Sequence, residues 1–508
     1  WALRRRRRRR LPCDFAMAIQ APWSRHILSG WKTVETRDYD LPAHLVGQWL
    51  LMVEEPEGTP GVPTLADIVA PGQAQVVGKI KFIENIVYPD KAAWAADKCR
   101  HRVPLGDGYT WQEGKQKRGW IVGDTVAMPP TPCPALVRSH RSIFKADSLP
   151  TADLTPFLFG GSDEEKQKVV ALIKAQVERV GFLRVTWRGF PQEIVSKTHA
   201  RLRSFFKLPL EEKQKSSKEA VKKQTKSATS TGYRGMESSH NNRNRQSWSC
   251  IRPSYSEEKE PYFTSEAGQK YFALPPDPQV PWPDEASAPG FQDQICEYYD
   301  LVTRAGQALF RAFALAIGKE ENFFLPFVSE EKHVSSLNAF SFDMGKGLDV
   351  LPAHGDITCF TILSHDLDQS AAGARCLEIL DTEEECWRTV EAMPNTFLVN
   401  IGQIMERWSG GRFKATMHRV TSPADAPVGA TRQSLVFFQA TNHDTDLRPV
   451  CDIQVPVEYT PEKFNDYTWS RISGFYDKAT DEETAWERYN RDVLYAVPPG
   501  LAEAIRKT

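Results

Sequence analysis

The residues with the clearest chemical potential are two histidines and an aspartate in the second half of the chain. His354 and Asp356 form the only H-x-D triplet, and His418 lies further along, beside another predicted strand. Residues i and i+2 of a strand point to one face, so the imidazole and the carboxylate can converge on one ion. Two histidines and one carboxylate leave metal positions open, which suits a non-haem Fe(II) that must bind a co-substrate and O2. Alone, the triplet is a weak signal.

Arg432 and Ser434 form a second pair that shares one face of a predicted strand. A guanidinium fork beside a hydroxyl can hold a carboxylate. The alternative is a surface arginine in a β-hairpin. The strand continues into the apolar run 435–438 and so enters a core, where a buried arginine needs an anionic partner.

Short β-rich runs at 357–363, 377–380, 396–401 and 435–439 would position these residues. Their regular spacing, with Gly, Pro and Asp clusters between them, predicts a β-sandwich or jelly roll. Before them, apolar spacing predicts amphipathic helices at 163–180 and 291–317. In the first helix, we expect Val169, Val170, Leu172, Ile173, Val177 and Val180 to lie near one face.

Three stretches interrupt this pattern. The proline-rich run 129–134 predicts a break, because it sustains neither a helix nor a central strand. A polar stretch spans about 211–244, and a proline-rich one about 274–289. We expect the variable stretch 216–252 and the segment 464–476 to line a substrate pocket.

Composition bounds the class of protein. The 508 residues include 64 Lys or Arg and 65 Asp or Glu, with a formal net charge of -1, which excludes a uniformly basic nucleic-acid binder. No apolar run reaches the ~18 residues of a membrane-spanning helix. Nine scattered cysteines without a C-x-x-C motif argue against a disulfide framework or zinc site and favour a reducing compartment. We expect a cytoplasmic protein, or a nuclear one if the arginine run 4–10 is a targeting signal rather than translated upstream sequence.

Separated segments of the chain follow one family's pattern in order. They lie at 151–161, 180–183, 205–213, 232–235, 354–363, 400–420 and 432–434. The segment 354–363 follows the family pattern HxDxxxxTxL, and 400–420 follows NxGDxxxxxTNGxxxAxxHRV nearly throughout. Together they resemble the isopenicillin-N-synthase-like group of Fe(II)/2-oxoglutarate dioxygenases. The resemblance implies a mainly β protein whose C-terminal double-stranded β-helix, or jelly roll, is flanked by helices.

The resemblance also implies roles for individual residues. His354, Asp356 and His418 would be the catalytic iron ligands, and Arg432 and Ser434 would bind the distal carboxylate of 2-oxoglutarate. Asn338 would be a further cofactor-binding residue. The implied cofactors are Fe(II), with 2-oxoglutarate and O2 as co-substrates and ascorbate as a reductant. The implied reaction hydroxylates, demethylates or desaturates a small organic molecule and releases succinate and CO2.

Two positions depart from the family pattern. Many members carry Asn-x-Tyr before the metal strand, whereas Asn338 is followed here by Ala339 and Phe340. The phenolic hydrogen bond to the co-substrate would be lost, at a cost of about 1 kcal/mol. The usual Asp of NxGD is Gln403. Neither change affects an expected iron ligand.

The segment 19–37 carries a different pattern, PWxxxIxxGxKxxExR, which resembles the ASCH domain, a small PUA-like β-barrel. Lys32, Glu35 and Arg37 would form its ligand site, a charged cleft for a nucleobase or phosphate. The alternative is a structural ion pair between Glu35 and Arg37 in the barrel wall. Trp23, Trp31 and Trp49 could stack on bases, although tryptophans in a small barrel usually belong to the core.

Together these patterns predict a leader at 1–16, an ASCH/PUA-like domain at 17–144, a dioxygenase at 145–480 and a helical tail at 481–508. The dioxygenase would divide into a helical part at 145–290 and a helix with a jelly-roll core at 291–450. The main functional hypothesis is a 2-oxoglutarate-dependent oxygenase with a small-molecule substrate. The alternatives are an oxygenase directed to RNA or a modified nucleoside, and a nucleic-acid-binding adaptor. No membrane association is expected.

Overall fold

The computed structural model divides the chain into two compact units, Trp1–Pro150 and Thr151–Thr508. It describes residues 15–55, 65, 68–69, 74–104, 110–133, 135–147, 149–217, 231–235, 245–251, 253, 280–329, 332–344, 349–367, 376–382, 385–422, 429–455, 457–472, 485–494, 497–498, 502–503 and 505. The arginine run 4–10, most of the variable stretch 216–252 and the end of the segment 464–476 lie outside these residues.

The first unit is built on one mixed sheet. Its elements are β1 Phe15–Gln20, α1 Trp23–Leu28, β2 Val34–Arg37, β3 Trp49–Glu55, β4 Ile68–Val69, β5 Gln75–Val87, α2 Lys91–Ala96, α3 Lys98–His101, β6 Arg118–Pro132, β7 Ala135–His140 and β8 Ile143–Asp147. The strand order is β2-β6-β5-β3-β1-β8-β7-β4, with β1 and β3 parallel. Ala16 and Ala18 join an apolar cluster on one face, and Met17 and Ile19 join another on the opposite face. The described strands form a half-barrel sheet, and closure into a PUA-like barrel stays a prediction.

Pro129 and Pro130 correct one expectation, because they lie inside the long strand β6. Opposite them, Val76 of β5 pairs with Thr131, while Gly78 pairs with Ala127. Three residues of β6 therefore face a single residue of β5, as in a β-bulge. Bulged residues are outside the hydrogen-bonded ladder, so the missing N–H of proline costs no ladder bond there. The expected break is therefore wrong, because β6 runs through the prolines. Since β2 pairs only with the start of β6, the proline segment has one neighbour among the described strands and is not a central strand there.

The second unit combines helices with two sheets. Its elements are β9 Thr151–Asp153, α4 Thr155–Leu158, α5 Asp163–Arg179, β10 Phe182–Thr186, α6 Gln192–Phe206, α7 Leu210–Lys215, β11 Gly232–Arg234, β12 Arg245–Ile251, α8 Phe291–Ala316, β13 Ser336–Met344, β14 Asp349–His354, β15 Phe360–His365, β16 Leu377–Asp381, β17 Cys386–Val390, β18 Phe397–Ile401, α9 Gln403–Trp408, β19 His418–Thr421, β20 Ala430–Gln439, α10 Phe464–Ile472 and α11 Ala485–Tyr489. One sheet has the order β11-β12-β13-β20-β15-β18-β10-β9, and the other β14-β19-β16-β17. The predicted two-sheet jelly roll is thereby confirmed.

The two predicted helices are also confirmed. Helix α5 begins at a capping box, in which Ser162 and Glu165 exchange side-chain and backbone hydrogen bonds. Helix α8 ends shortly before Gly318, whose φ of +81° is a conformation that glycine adopts at little cost. One residue of α5 differs from expectation: Leu172 is 36% exposed, whereas Ile173 is fully buried.

The strand register aligns side chains across the larger sheet. Phe340 of β13 pairs with Ser434 of β20, which pairs in turn with His365 of β15. Directly paired residues point to the same side, so these three form a row on one face. The neighbouring row contains Phe342 and Arg432. We call this face the inner face and define it by Asn338, Phe340, Phe342, Thr361, Leu363, His365, Arg432, Ser434 and Val436.

Candidate active site

The three metal-ligand candidates come together at paired strand ends. His354 ends β14, and His418, its direct partner, begins β19. The Nε2 atoms of His354 and His418 lie 3.6 and 3.8 Å from Oδ1 of Asp356. The three ligand atoms all lie within 4.8 Å of one another, a spacing that one ion can bridge. Asp356 lies just beyond β14, so a loop, and not strand alternation as expected, turns its carboxylate toward the histidines.

Backbone carbonyl groups orient both imidazole rings. Nδ1 of His354 lies 2.9 Å from the Pro352 carbonyl oxygen, and Nδ1 of His418 lies 3.1 Å from that of Thr416. A neutral imidazole that donates through Nδ1 has its free electron pair on Nε2. Both Nε2 atoms therefore offer an electron pair toward the Asp356 carboxylate and the space beside it, an arrangement that is common among metal-bound histidines.

Asp356 is held through its second oxygen. Oδ2 accepts hydrogen bonds from the Asn400 amide at 2.7 Å and from the Thr361 hydroxyl, which leaves Oδ1 to face the histidines. Burial alone would raise the pKa of Asp356, but the two imidazoles and these hydrogen bonds lower it overall. Burial, with repulsion from His418, lowers the pKa of His354 to about 4. A neutral histidine beside an ionised carboxylate is the protonation state that binds metals.

Gln403 braces the loop between the candidate ligands. Its Nε2 donates to the carbonyl oxygens of Gly355 at 2.8 Å and of Tyr489 at 3.1 Å. Its Oε1 accepts from the Tyr467 hydroxyl at 2.8 Å. Gly355 is the middle residue of the H-x-D triplet, so this side chain ties the triplet to α10 and α11. The aspartate of the family pattern has no N–H and could not donate these two hydrogen bonds, so the departure at Gln403 changes how the loop is held.

The C-terminal segment contacts the same loop directly. The side-chain oxygen of Asn490 accepts from the Gly355 N–H at 2.8 Å, and the Trp486 indole donates to the Ala353 carbonyl at 2.6 Å. Asn490 is fully buried. On the other side, a Cβ at Gly402 would lie 2.0 Å from a backbone oxygen, so only glycine fits this close approach. The backbone of the triplet is therefore held on both sides.

Arg432 and Ser434 lie side by side on the inner face, with Arg432 only 3% exposed. The guanidinium donates through Nη1 to the Ser434 hydroxyl at 3.4 Å and through Nη2 to Nδ1 of His365 at 3.2 Å. Among the described residues, its Nε has no hydrogen-bond partner. Burial lowers the pKa of Arg432 to about 10, so the group is still charged at pH 7. A buried cation with an unused donor is stabilised by an anion.

His365 supplies a second unused donor on the inner face. Its Nδ1 accepts from Arg432, so the proton of the neutral ring lies on Nε2. Nε2 is buried and has no partner within the described part of the chain. Burial and the adjacent charge of Arg432 hold the pKa of His365 well below its usual value. The ring is therefore neutral at pH 7, and Nε2 and the Arg432 guanidinium can donate to the same acceptor.

Asn338 and Phe340 lie in neighbouring rows of the inner face. Asn338 pairs with Val436, between the row of Ser434 and that of Thr361, and donates to a serine hydroxyl of its own strand. Phe340 faces Ser434 directly, so no phenolic hydroxyl is available at this position. The structure therefore does not bring Asn338 against Arg432.

Two family models match the second unit. The model described as the N-terminal domain of non-haem dioxygenases in morphine synthesis matches residues 149–276, and that of the 2OG-Fe(II) oxygenase superfamily matches residues 331–441. The second match contains the three metal-ligand candidates together with Arg432 and Ser434. The second unit belongs to the 2OG-Fe(II) oxygenase superfamily. The match is confined to this unit, and the ASCH/PUA-like character of the first unit stays a prediction.

Curated relatives of the oxygenase agree with this assignment. The 2-oxoglutarate-dependent dioxygenase traH of Penicillium crustosum is 25% identical over 292 residues, which are 54% of this chain and 79% of the relative. The homoarginine-6-hydroxylase 2-ODD-C23 of Glycine max is 27% identical over 331 residues, which are 60% of this chain and 88% of the relative. The protein is a 2-oxoglutarate-dependent dioxygenase that uses Fe(II) and O2.

Solved structures support the fold of the oxygenase. A full-length Neurospora crassa protein in complex with alpha-KG has a TM-score of 0.52 at 19% identity and covers 65% of this chain and 96% of that one. A putative 2OG-Fe(II) oxygenase family protein from Caulobacter crescentus has a TM-score of 0.50 at 20% identity, with 65% and 100% covered. Among the described helices, none is both long and apolar enough to span a bilayer.

Several residues that build the oxygenase site were not singled out from the sequence. Thr361 and Asn400 lie within the family patterns at 354–363 and 400–420, so a signal for both was present. His365 and Asn490 belong to no recognised pattern. Only strand register and chain folding bring these two residues to Arg432 and Gly355, respectively.

The charged residues of the first unit also form a cluster. The Glu35 carboxylate lies 3.4 Å from Nζ of Lys32 and 3.0 Å from Nη2 of Arg37. Lys32 is 2% exposed and also donates to the His101 carbonyl oxygen at 2.7 Å. Burial lowers the pKa of Lys32, although the charge of Glu35 opposes this. The contacts are those of a structural ion pair, but two cations share one carboxylate, so the cluster keeps a net charge of +1.

Proposed function

We propose that His354, Asp356 and His418 bind the Fe(II) of this dioxygenase, and that Arg432 and Ser434 hold the distal carboxylate of 2-oxoglutarate. The observation that carries the co-substrate assignment is the buried guanidinium of Arg432, whose Nε has no partner among the described residues. A carboxylate beside Ser434 would accept from that donor and neutralise the charge.

The residues present fit both groups. Two Nε2 electron pairs and one carboxylate oxygen form a three-ligand set of the kind that binds non-haem Fe(II) with positions left open. When bound, the iron and 2-oxoglutarate activate O2 for oxidation of the substrate. The chain holds the ligand atoms in their metal-binding protonation states through Asn400, Thr361 and the backbone carbonyl groups.

We also propose two roles beside the carboxylate. His365 donates through Nε2 to the co-substrate and so compensates for the hydroxyl that Phe340 lacks. Asn338 contacts the co-substrate nearer the metal, since its row lies between those of Ser434 and Thr361. Buried apolar neighbours such as Leu363 exclude water from this space.

The substrate that we propose is a small organic molecule. The match at 149–276 to the non-haem dioxygenase N-terminal model supports membership of the isopenicillin-N-synthase-like branch. Relatives with 25–27% identity include proteins named for action on homoarginine, proline and validamycin A. Hydroxylation, demethylation and desaturation are all open to such a site. The described cysteines are free thiols, in keeping with the reducing, cytoplasmic compartment that we propose.

A second candidate function concerns the first unit, which we propose is ASCH-like and binds a nucleoside or RNA near Lys32, Glu35 and Arg37. Nζ of Lys32 lies 4.8 Å from the ring centre of Trp23, which adds an aromatic surface to the charges. In Lys32→Ala, loss of RNA binding with an unchanged melting temperature would support a ligand role. RNA binding equal to that of the unaltered protein would leave only the ion pair.

The oxygenase assignment is tested by anaerobic titration with Fe(II) and 2-oxoglutarate. We expect the weak visible charge-transfer band of the iron chelate, and expect His354→Ala and Asp356→Ala to abolish it. Arg432→Gln should form the band only at much higher 2-oxoglutarate concentration. A band that is unchanged in all three variants would contradict the proposed ligand set.

A further inference from the structure

Two arginines lie on the strands that extend the inner face beyond β13. Arg234 of β11 pairs with Ser247 of β12, which pairs with Phe340. Arg245 of β12 pairs with Phe342, the partner of Arg432. Both arginines therefore project from the side of the sheet that carries Arg432 and Ser434. With strands roughly 5 Å apart, the backbones of Arg245 and Arg432 are about 10 Å apart.

The alternation along β12 separates a core side from a pocket side. Trp248 and Cys250 are buried in the main apolar core. Arg245, Ser247 and Ser249 point the other way and are only half-buried. This half-buried polar row continues the inner face beyond β13, on the side away from β15.

Arg245 lies against two aromatic rings of the inner face. The guanidinium carbon lies 5.2 Å from the ring centre of Phe340 and 5.9 Å from that of Phe342. These rings fix the guanidinium on an apolar surface and provide contact area for a carbon skeleton.

The charges of Arg234 and Arg245 are not neutralised by the described part of the chain. No acidic side chain there forms an ion pair with either arginine. Burial lowers the pKa of Arg245, and the nearby charge of Arg234 lowers it further. Two guanidinium groups on one partly buried wall repel each other, so an anion bound between them would be strongly favoured.

We propose that Arg245, assisted by Arg234, binds a carboxylate of the primary substrate, and that the substrate is an organic acid whose apolar part lies along Phe340 and Phe342. A planar guanidinium pairs with a carboxylate through two parallel hydrogen bonds, which would orient the substrate as well as bind it. This inference rests on the proposed function, because it assigns the substrate class of the same site.

The role also accounts for Phe340, the departure from the Asn-x-Tyr pattern. A tyrosine here would direct a hydroxyl toward the co-substrate. Phenylalanine instead presents only a ring, on which the Arg245 guanidinium packs. The hydrogen-bond donors for the co-substrate beside Ser434 are then Arg432 and His365.

The test uses the full chain under anaerobic conditions with Fe(II) and 2-oxoglutarate bound. The probes are aryl- and cycloalkyl-alkanoic acids, the primary amide of each acid, and phenyl phosphate. Binding is measured as a perturbation of the charge-transfer band, and turnover as succinate release in air. We expect at least one acid to bind at least tenfold more tightly than its amide and than phenyl phosphate.

The variants separate this site from the co-substrate site. Arg245→Gln should lose the preference for acid over amide while 2-oxoglutarate affinity stays unchanged, and Arg245→Lys should keep part of it. Arg188→Gln is the matched control, because Arg188 also lies over a phenylalanine ring, at 5.9 Å, but is exposed. Melting temperatures identify misfolded variants. If Arg245→Gln does not fold, Arg234→Gln takes its place, and we expect it to weaken acid binding to a smaller extent.

The outcomes distinguish the two proposals. A missing charge-transfer band in the unaltered enzyme would contradict the proposed function itself. A normal band with equal binding of acids and amides, or with no binding by any acid, would overturn the organic-acid inference alone. A preference for phenyl phosphate would replace the carboxylate with a phosphate, and retained acid preference in Arg245→Gln would exclude that arginine.

Discussion

The two units of the chain bury positive charge in opposite ways. In the first unit, Glu35 lies between Lys32 and Arg37, within 3.4 Å of one and 3.0 Å of the other. In the second unit, the buried Arg432 donates hydrogen bonds only to a hydroxyl and a neutral imidazole among the described residues. The first cluster contains a carboxylate counter-ion, whereas the second arrangement has no carboxylate partner among the described residues.

This difference separates a structural charge cluster from a ligand site. Both patterns looked alike in the sequence, as basic and polar residues at i and i+2 of a strand. A buried ion pair needs no further partner, whereas a buried unpaired cation is costly until an anion binds. The comparison therefore favours a ligand at Arg432 and a structural role at Glu35.

The largest expected effect is at the metal end of the second unit. Replacing His354 or Asp356 by Ala removes one of three ligand atoms. Fe(II) affinity should therefore fall by more than about 100-fold, because loss of a residue that only supports a metal ligand already costs up to about 100-fold. Equilibrium dialysis of Fe(II) under anaerobic conditions measures this. His26→Gln in the first unit is the control, and iron binding that survives in Asp356→Ala would disprove the ligand assignment.

Arg432→Gln should lower 2-oxoglutarate affinity by about 10- to 100-fold, since charge-assisted hydrogen bonds contribute about 1.5–3 kcal/mol. Anaerobic titration of the charge-transfer band gives the affinity. Arg419→Gln is a suitable control, because Arg419 is paired with Glu378 at 2.8 Å. Equal 2-oxoglutarate affinity in Arg432→Gln and the unaltered enzyme would remove the basis of the comparison.

The stability of the same two regions should change in opposite directions. Arg432→Met removes an unpaired buried charge, so the protein without co-substrate should melt at the same or a higher temperature. Glu35→Gln leaves Lys32 and Arg37 without their shared carboxylate, and should destabilise the first unit by about 3 kcal/mol. Denaturant unfolding of both variants checks this, and a neutral Glu35→Gln would show that the cluster is not structural.

Much of this fold was accessible from the sequence. Apolar spacing and capping residues located α5 and α8, and short β-rich runs located β16, β18 and β20. Two features were not predicted: Asp356 lies beyond its strand, and the prolines of β6 lie in a bulge. Tertiary packing sets such loop geometry and strand irregularities, and the local sequence pattern does not reveal them. His365 reaches Arg432 across a register that sequence spacing cannot supply.

A smaller effect is expected where Asn490 braces the metal-ligand loop. Asn490→Ala removes the acceptor for the Gly355 N–H, so Fe(II) affinity should fall by about tenfold, as for other supporting residues near metals. Gln403→Ala should act in the same direction. Both iron affinity and melting temperature need to be measured, with Asn85→Ala as a control. A fall in melting temperature without weaker iron binding would assign Asn490 to stability alone.

The smallest effect concerns pH. The pKa of His365 in the folded protein lies well below the value near 6.5 of an unfolded histidine. Below pH 6.5 the His365 imidazole is protonated in the unfolded chain but stays neutral in the folded protein. The free energy of unfolding therefore falls as pH falls, by up to about 1.4 kcal/mol per pH unit. His365→Gln should reduce the difference in melting temperature between pH 7 and pH 5. An unchanged difference would mean that His365 is protonated in the folded state.

The most direct test of the central claim is an anaerobic crystal structure of the enzyme with Mn(II), in place of Fe(II), and 2-oxoglutarate. We predict a metal bound by Nε2 of His354, Oδ1 of Asp356 and Nε2 of His418. The distal carboxylate of 2-oxoglutarate should lie within hydrogen-bond distance of Arg432 and the Ser434 hydroxyl. A metal bound by other residues, or a carboxylate bound away from Arg432, would contradict the account.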